Sequence, residues 1–114
     1  MISLPCTPVR PDSFCMGPIA MTMTVESWIE EKAEVFNDIW GCVMRYLHGD
    51  WGNIDPGDWS LNIDTIKYRT PAGRLMGSYE LSDGRTIWII TDGYGRQSEG
   101  VECCYTTILS PDDY

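Results

Sequence analysis

The chain of 114 residues carries one imidazole, His48, two positions before Asp50 in the segment His48-Gly49-Asp50-Trp51-Gly52. An imidazole with a carboxylate beside it can act as a general base. A lone His at a helix C-terminus has a plainer use, since it meets the negative end of the dipole and can bond the last carbonyls. We read His48 as such a cap and place a small enzyme built on His48 and Asp50 last among three functional classes. Cys42 with His48 would supply a nucleophile and its base, but six helical residues set the two more than a turn apart. Activation needs an approach of about 3 Å. Cys42 is therefore assigned to packing.

The segment Gly93 to Gly100 (GYGRQSEG) has the small residues of a phosphate-cradling loop. It lacks the G-x-x-x-x-G-K-[ST] spacing and a following helix, and Glu99 and Glu102 would repel an anion, so it reads as a hairpin connection. Five cysteines form an odd set with no C-x-x-C pair. Adjacent Cys103 and Cys104 point to opposite faces of a strand, which suits reduced thiols in a cytoplasm better than a disulfide framework. One His and no paired cysteines leave too few ligands for structural zinc. No cofactor, metal site or catalytic residue is expected.

Charge is the more informative property. The formal net charge is −9, and nine of the seventeen acids lie between Glu26 and Asp64 against only Lys32 and Arg45. Phosphate recognition needs a basic face, so direct nucleic-acid binding is excluded and a protein partner with a basic surface is expected. Glu26, Glu30, Glu34 and Asp38 recur every four residues. On one helix they make a stripe about 18 Å long with charges about 6 Å apart, close to the spacing of phosphates. Such a stripe can mimic nucleic acid in a basic groove, or simply solvate an exposed face.

The elements that would carry these residues are α+β. Val25, Trp28, Ile29, Val35, Phe36, Ile39, Trp40, Val43, Met44 and Leu47 recur at three and four, which predicts one long amphipathic helix from Val25 to Leu47. Ser27 with Glu30 fits a capping box at its start, and Gly49 suits a left-handed cap at its end. After the turn HGDWGNIDPGDW, Asp58 is expected to cap a short second helix from about Trp59 to Lys67, ended by Thr70 to Gly73. Arg74 to Leu81 and Arg85 to Thr91 flank an Asp-Gly pair, a hairpin signal. CYTTIL supplies a third strand, and consecutive strands make a three-stranded antiparallel meander the simplest topology.

A hairpin through Ser82, Asp83, Gly84 and Arg85 sets Tyr79 opposite Trp88 and Gly77 opposite Ile90 on the face assigned to the core. Ile87 and Ile89 then lie on the second face, which needs a cover: a helix, the N-terminal segment or a second copy. Trp51, Trp59, Trp88 and Tyr114 are read as core completion, with an aromatic recognition surface as the alternative.

The 43% hydrophobic content is enough for one core. No apolar run approaches the roughly 20 residues of a membrane span, and Pro5, Pro8, Pro11 and Pro18 break up any secretion signal. Residues 1 to 20 are expected to be a disordered Pro-rich extension, with Met21 or Met23 as the natural start and 21 to 114 as the single domain.

The segments HGDWGNIDPGDWSLN, RLMGSYEL, GRTIWIITD and TTILSPDDY, from His48 to Tyr114, resemble a group of short uncharacterised proteins carried by bacterial plasmids, conjugative elements and phages. Some of these bear labels of a type I restriction methylation subunit. A chain of this size cannot hold that methyltransferase domain, and no glycine motif for its cofactor precedes a helix. The resemblance implies a mobile-element accessory protein acting by binding in the cytoplasm, a candidate inhibitor of the anti-CRISPR or anti-restriction type. The candidate contact residues are Glu26, Glu30, Glu34, Asp38, His48, Asp50, Trp51, Ile87 and Ile89. The second class is a homo-oligomeric module, a homodimer for instance, joined through Ile87 and Ile89.

Overall fold

The computed structural model describes residues 2–3, 16–68, 73–94, 97–98, 101–102 and 104–114. Strand β1 (Ile2–Ser3) precedes β2 (Pro18–Met21), α1 (Met23–Glu31), α2 (Ala33–Leu47), α3 (Pro56–Tyr68), β3 (Gly73–Glu80) and β4 (Thr86–Tyr94). A two-residue hairpin, β5 (Gln97–Ser98) with β6 (Val101–Glu102), then β7 (Tyr105–Leu109) and a 3-10 turn (Pro111–Asp113) complete the chain. The strands run β2-β7-β4-β3 across the sheet, with β1 laid antiparallel on the outer edge of β2.

The long helix expected from Val25 to Leu47 is two helices. Lys32 takes an extended conformation, φ −141° and ψ 113°, ending α1 and opening α2. The break redirects the chain, so that α1 packs toward β7 and α2 toward β4. The expected capping box is absent. Helix α1 begins at Met23, and Ser27, inside it, donates its hydroxyl to the Thr24 carbonyl at 2.7 Å. At the far end Gly49 has φ +83°, the left-handed conformation that terminates α2. Helix α3 starts earlier than expected because Asp55, not Asp58, accepts from the Gly57 N–H, with Pro56 at the first helical position.

The sheet is mixed and is not a three-stranded meander. β3 with β4 and β4 with β7 are antiparallel, but β2 joins β7 in parallel through Ile19↔Thr106 and Met21↔Ile108. Residues 16–21 thus belong to the domain: Met16 is fully buried and Ile19 almost so. Residues 4–15, most of the expected extension, lie outside the described residues, as does the expected helix stop at 70–72.

The hairpin register also differs by one residue. Leu81 N–H bonds the Arg85 carbonyl, and Gly84, at φ +89°, closes a three-residue loop of Ser82, Asp83 and Gly84. A type I turn followed by a left-handed residue gives this loop length, one residue shorter than the loop expected. Tyr79 therefore pairs with Ile87, and Gly77 with Ile89. Because side chains alternate along a strand, the slip exchanges the faces of β4 alone: Tyr79 and Gly77 stay on the core side, as expected, and Ile87 and Ile89 join them there in place of Trp88 and Ile90. Ile87 and Ile89 are fully buried against α1 and α2, together with Leu75, Tyr79 and Ile108.

Trp88 and Leu109 lie on the opposite face. There Tyr114 meets Trp88 edge-on at 5.6 Å between ring centres, and its hydroxyl accepts from Arg74 at 2.6 Å. Asp113 anchors this C-terminal turn, accepting from the hydroxyls of Thr22 (2.7 Å) and Thr24 (2.8 Å) at the start of α1.

Truncating a buried isoleucine removes apolar contact and leaves a cavity. Ile89→Ala is expected to cost about 2–5 kcal/mol in urea denaturation, against about 0.5 kcal/mol or less for half-exposed Ile63. A chain begun at Met21 loses most of β2 and the buried Met16, and is expected to unfold at clearly lower urea than the full chain.

Candidate functional site

The outer edge of β3 is where the loop, the helices and the sheet converge. Residues of even number in β3 turn their backbone groups away from β4, and the chain supplies most of their partners itself. At Met76 the Asn62 side chain acts as a mock strand, donating to the carbonyl at 2.7 Å and accepting from the N–H at 3.2 Å. At Ser78 the loop supplies backbone: Ser78 N–H donates to the Trp51 carbonyl and Asn53 N–H to the Ser78 carbonyl. This parallel bridge passes through Gly52, at φ +73°, where a Cβ would overlap the Ser78 carbonyl oxygen. Only glycine allows that approach.

Arg45, on the last turn of α2, is held from two sides. Its Nε donates to Asp50 at 2.7 Å and a terminal nitrogen donates to the other carboxylate oxygen at 3.3 Å. The guanidinium also stands 5.1 Å over the Tyr79 ring. The Tyr79 hydroxyl donates to the Asp50 carbonyl at 2.8 Å, and burial pushes its pKa far up. The hydrogen bond from Arg45 holds the Asp50 carboxyl below its ordinary value, aided by the Gly52 N–H. Two clefts of about 400 and 290 Å³ flank this pair and share Arg45 and Glu80; Ser78, Asn53 and Thr86 line the first, Asp38, Leu81 and Ser82 the second.

Of the sequence candidates, few come together. Glu26 and Glu30 lie exposed on α1 and Glu34 on α2, so the break at Lys32 denies them a single helical stripe. Asp38 is half-buried and accepts from the Ser82 N–H at 3.2 Å. His48 and Asp50 do not form a pair: His48 Nδ1 lies 2.8 Å from the Met44 carbonyl, while Asp50 faces Arg45. Trp51 is a core residue, edge-on to Tyr46 at 5.3 Å. The four aromatics named for a recognition surface divide, Trp51 and Trp59 packing with the core beneath the sheet, Trp88 and Tyr114 together on its other face. Ile87 and Ile89 are core and offer nothing to a second copy. Burial raises the Cys42 thiol, which keeps it protonated and unreactive.

Arg45, Asn53, Asn62, Ser78 and Glu80 were absent from the sequence candidates. Only Arg45 had a signal there, a cation at a helix end five residues before Asp50. Among the described residues no three His, Cys, Asp or Glu side chains gather as a metal set. Comparison with protein-family models, curated proteins and solved structures gave no match.

A carboxyl whose folded pKa is depressed stabilises the fold above its unfolded pKa, and the gain is lost as pH falls through the folded value. Asp50→Asn, which keeps an acceptor for Gly52, is expected to lower stability at pH 7 by about 1 kcal/mol or less, since both partners are half exposed. Urea midpoints of the two proteins are expected to converge once pH drops below the carboxylate range.

Proposed function

We propose that this chain is an accessory protein of a bacterial mobile element that acts without catalysis, by binding a partner protein with a basic surface. The partner class is a host nucleic-acid-handling defence machine of the restriction or CRISPR type, and the site of action is the cytoplasm. One observation carries the reading: Glu26, Glu30 and Glu34 stand exposed on adjoining helices, with no cation against them among the described residues. Other acids serve the fold, Asp50 with Arg45, Asp92 with Arg74, Glu31 and Asp83 with Arg85. These three glutamates are thus available to a partner, and in a chain of net charge −9 they favour a basic one.

The resemblance from His48 to Tyr114 supports the mobile-element origin, and a buried Cys42 thiol suits a reducing compartment. No helix among the described residues is long and apolar enough to cross a membrane. Burial of Ile87 and Ile89 takes away the motive for self-association through them.

Immobilised full-length chain is expected to retain nucleic-acid-binding proteins from a bacterial lysate and to release them to double-stranded DNA as competitor. Replacing Glu26, Glu30 and Glu34 together by glutamine is expected to reduce retention at least tenfold. Retention that survives the triple replacement, or capture without any nucleic-acid-binding protein, overturns the proposal.

A further inference from the structure

The edge of β3 is covered at Met76 by the Asn62 amide and at Ser78 by the loop backbone, and at Ser82 the Asp38 carboxylate takes the N–H. Glu80 lies between these points. It has the same parity as Met76 and Ser78, so its N–H and C=O point outward, and no group among the described residues meets them. The two clefts lie against this gap, one on the Asn53 side and one on the Ser82 side, and both include Glu80 and Arg45. Together they trace a groove from Ser78 past the end of β3 at Glu80 to Ser82 in the turn. Unpaired strand edges accept an extended segment by main-chain hydrogen bonding.

Charge selects the occupant. The ionic groups lining the groove are Asp38, Glu80 and Arg45, and Arg45 is already neutralised by Asp50. The Glu80 side chain is exposed and unpaired among the described residues. We infer that the β3 edge at Glu80 is a docking site for an extended basic segment of a partner protein, about four residues long, which adds a short strand there and sets a Lys or Arg against Glu80 and Asp38. Main-chain bonds to Glu80 give the register, and the carboxylates choose the basic residue. The site uses none of Glu26, Glu30 and Glu34, so it stands or falls apart from the helical surface.

The probes are two capped hexapeptides, one alternating valine with lysine and one alternating valine with glutamate, titrated into the full-length chain while backbone amide resonances are followed. The lysine peptide is expected to shift Asn53, Glu80 and Ser82 and to bind at least tenfold tighter than the glutamate peptide. Glu80→Pro removes the outward N–H together with the carboxylate, a backbone change an edge position tolerates, and is expected to weaken binding at least tenfold. Glu80→Lys gives the same loss by charge and decides the matter should the proline variant fail to fold. The triple glutamine variant of Glu26, Glu30 and Glu34 is expected to bind the lysine peptide as the parent does. Equal affinity for both peptides, shifts centred on Phe36, Trp40 and Met44, full binding by folded Glu80 variants, or no binding of either peptide overturns the inference.

Discussion

The tight turn at Ser82, Asp83 and Gly84 is the constraint on which most of this structure depends. Its left-handed Gly84 sets the pairing of β3 with β4, and that pairing turns Leu75, Tyr79, Ile87 and Ile89 toward the helices. The turn is also gripped from outside. Arg85 lies over the Trp28 ring at 4.9 Å and reaches Glu31 at 3.1 Å, while Asp38 takes the Ser82 N–H. These contacts fall on either side of Lys32, so the hairpin end sits at the junction of α1 and α2 and ties both helices to it. Two acids of the helical segment are thereby committed to structure, which is why only part of the acidic run faces solvent unopposed.

Beneath the helices the core contains a line of hydroxyls. Thr106 donates to the Met16 carbonyl at 2.7 Å, so the 2.7 Å bond between Thr91 and Thr106 is donated by Thr91, and Tyr46 in turn donates to Thr91 at 2.8 Å. Every donor in the series has an acceptor, which a buried polar chain requires. The series joins α2, β4, β7 and the residue leading into β2. It thus fixes which threonines lie opposite one another where three strands meet, a specification that aliphatic packing alone leaves loose.

Sequence periodicity located most of the helical and strand segments, because apolar spacing reports directly on burial. It could not register the break at Lys32: one extended residue leaves the three-and-four spacing of Val25 to Leu47 nearly intact. The Asp-Gly pair announced a hairpin but not its loop length, and a difference of one residue was enough to exchange the faces of Trp88 and Ile89. Strand β2 was hidden by Pro18 and by a composition that reads as irregular. Its partner β7 lies more than eighty residues away, and no local pattern reports such a pairing. The groove was illegible for a related reason, since it is bounded by backbone groups of β3 and by Asn62, whose amide serves as a strand only in the folded chain.

The parallel pairing of β2 with β7 also bears on how the chain acquires its structure. Ile19 must find Thr106, and Asp113 must find Thr22 and Thr24, so the two ends of the described chain complete a single sheet. Closing such a distance costs loop entropy before any contact repays it, which makes this step late and slow relative to the hairpin and helices. During synthesis on the ribosome, Met16 and Ile19 emerge before β7 and stay without these neighbours until Thr106 to Ile108 have left the tunnel. Until then the place of β7 between β2 and β4 is empty, and the nascent chain has a period of exposed apolar surface set by translation rate rather than by its own folding.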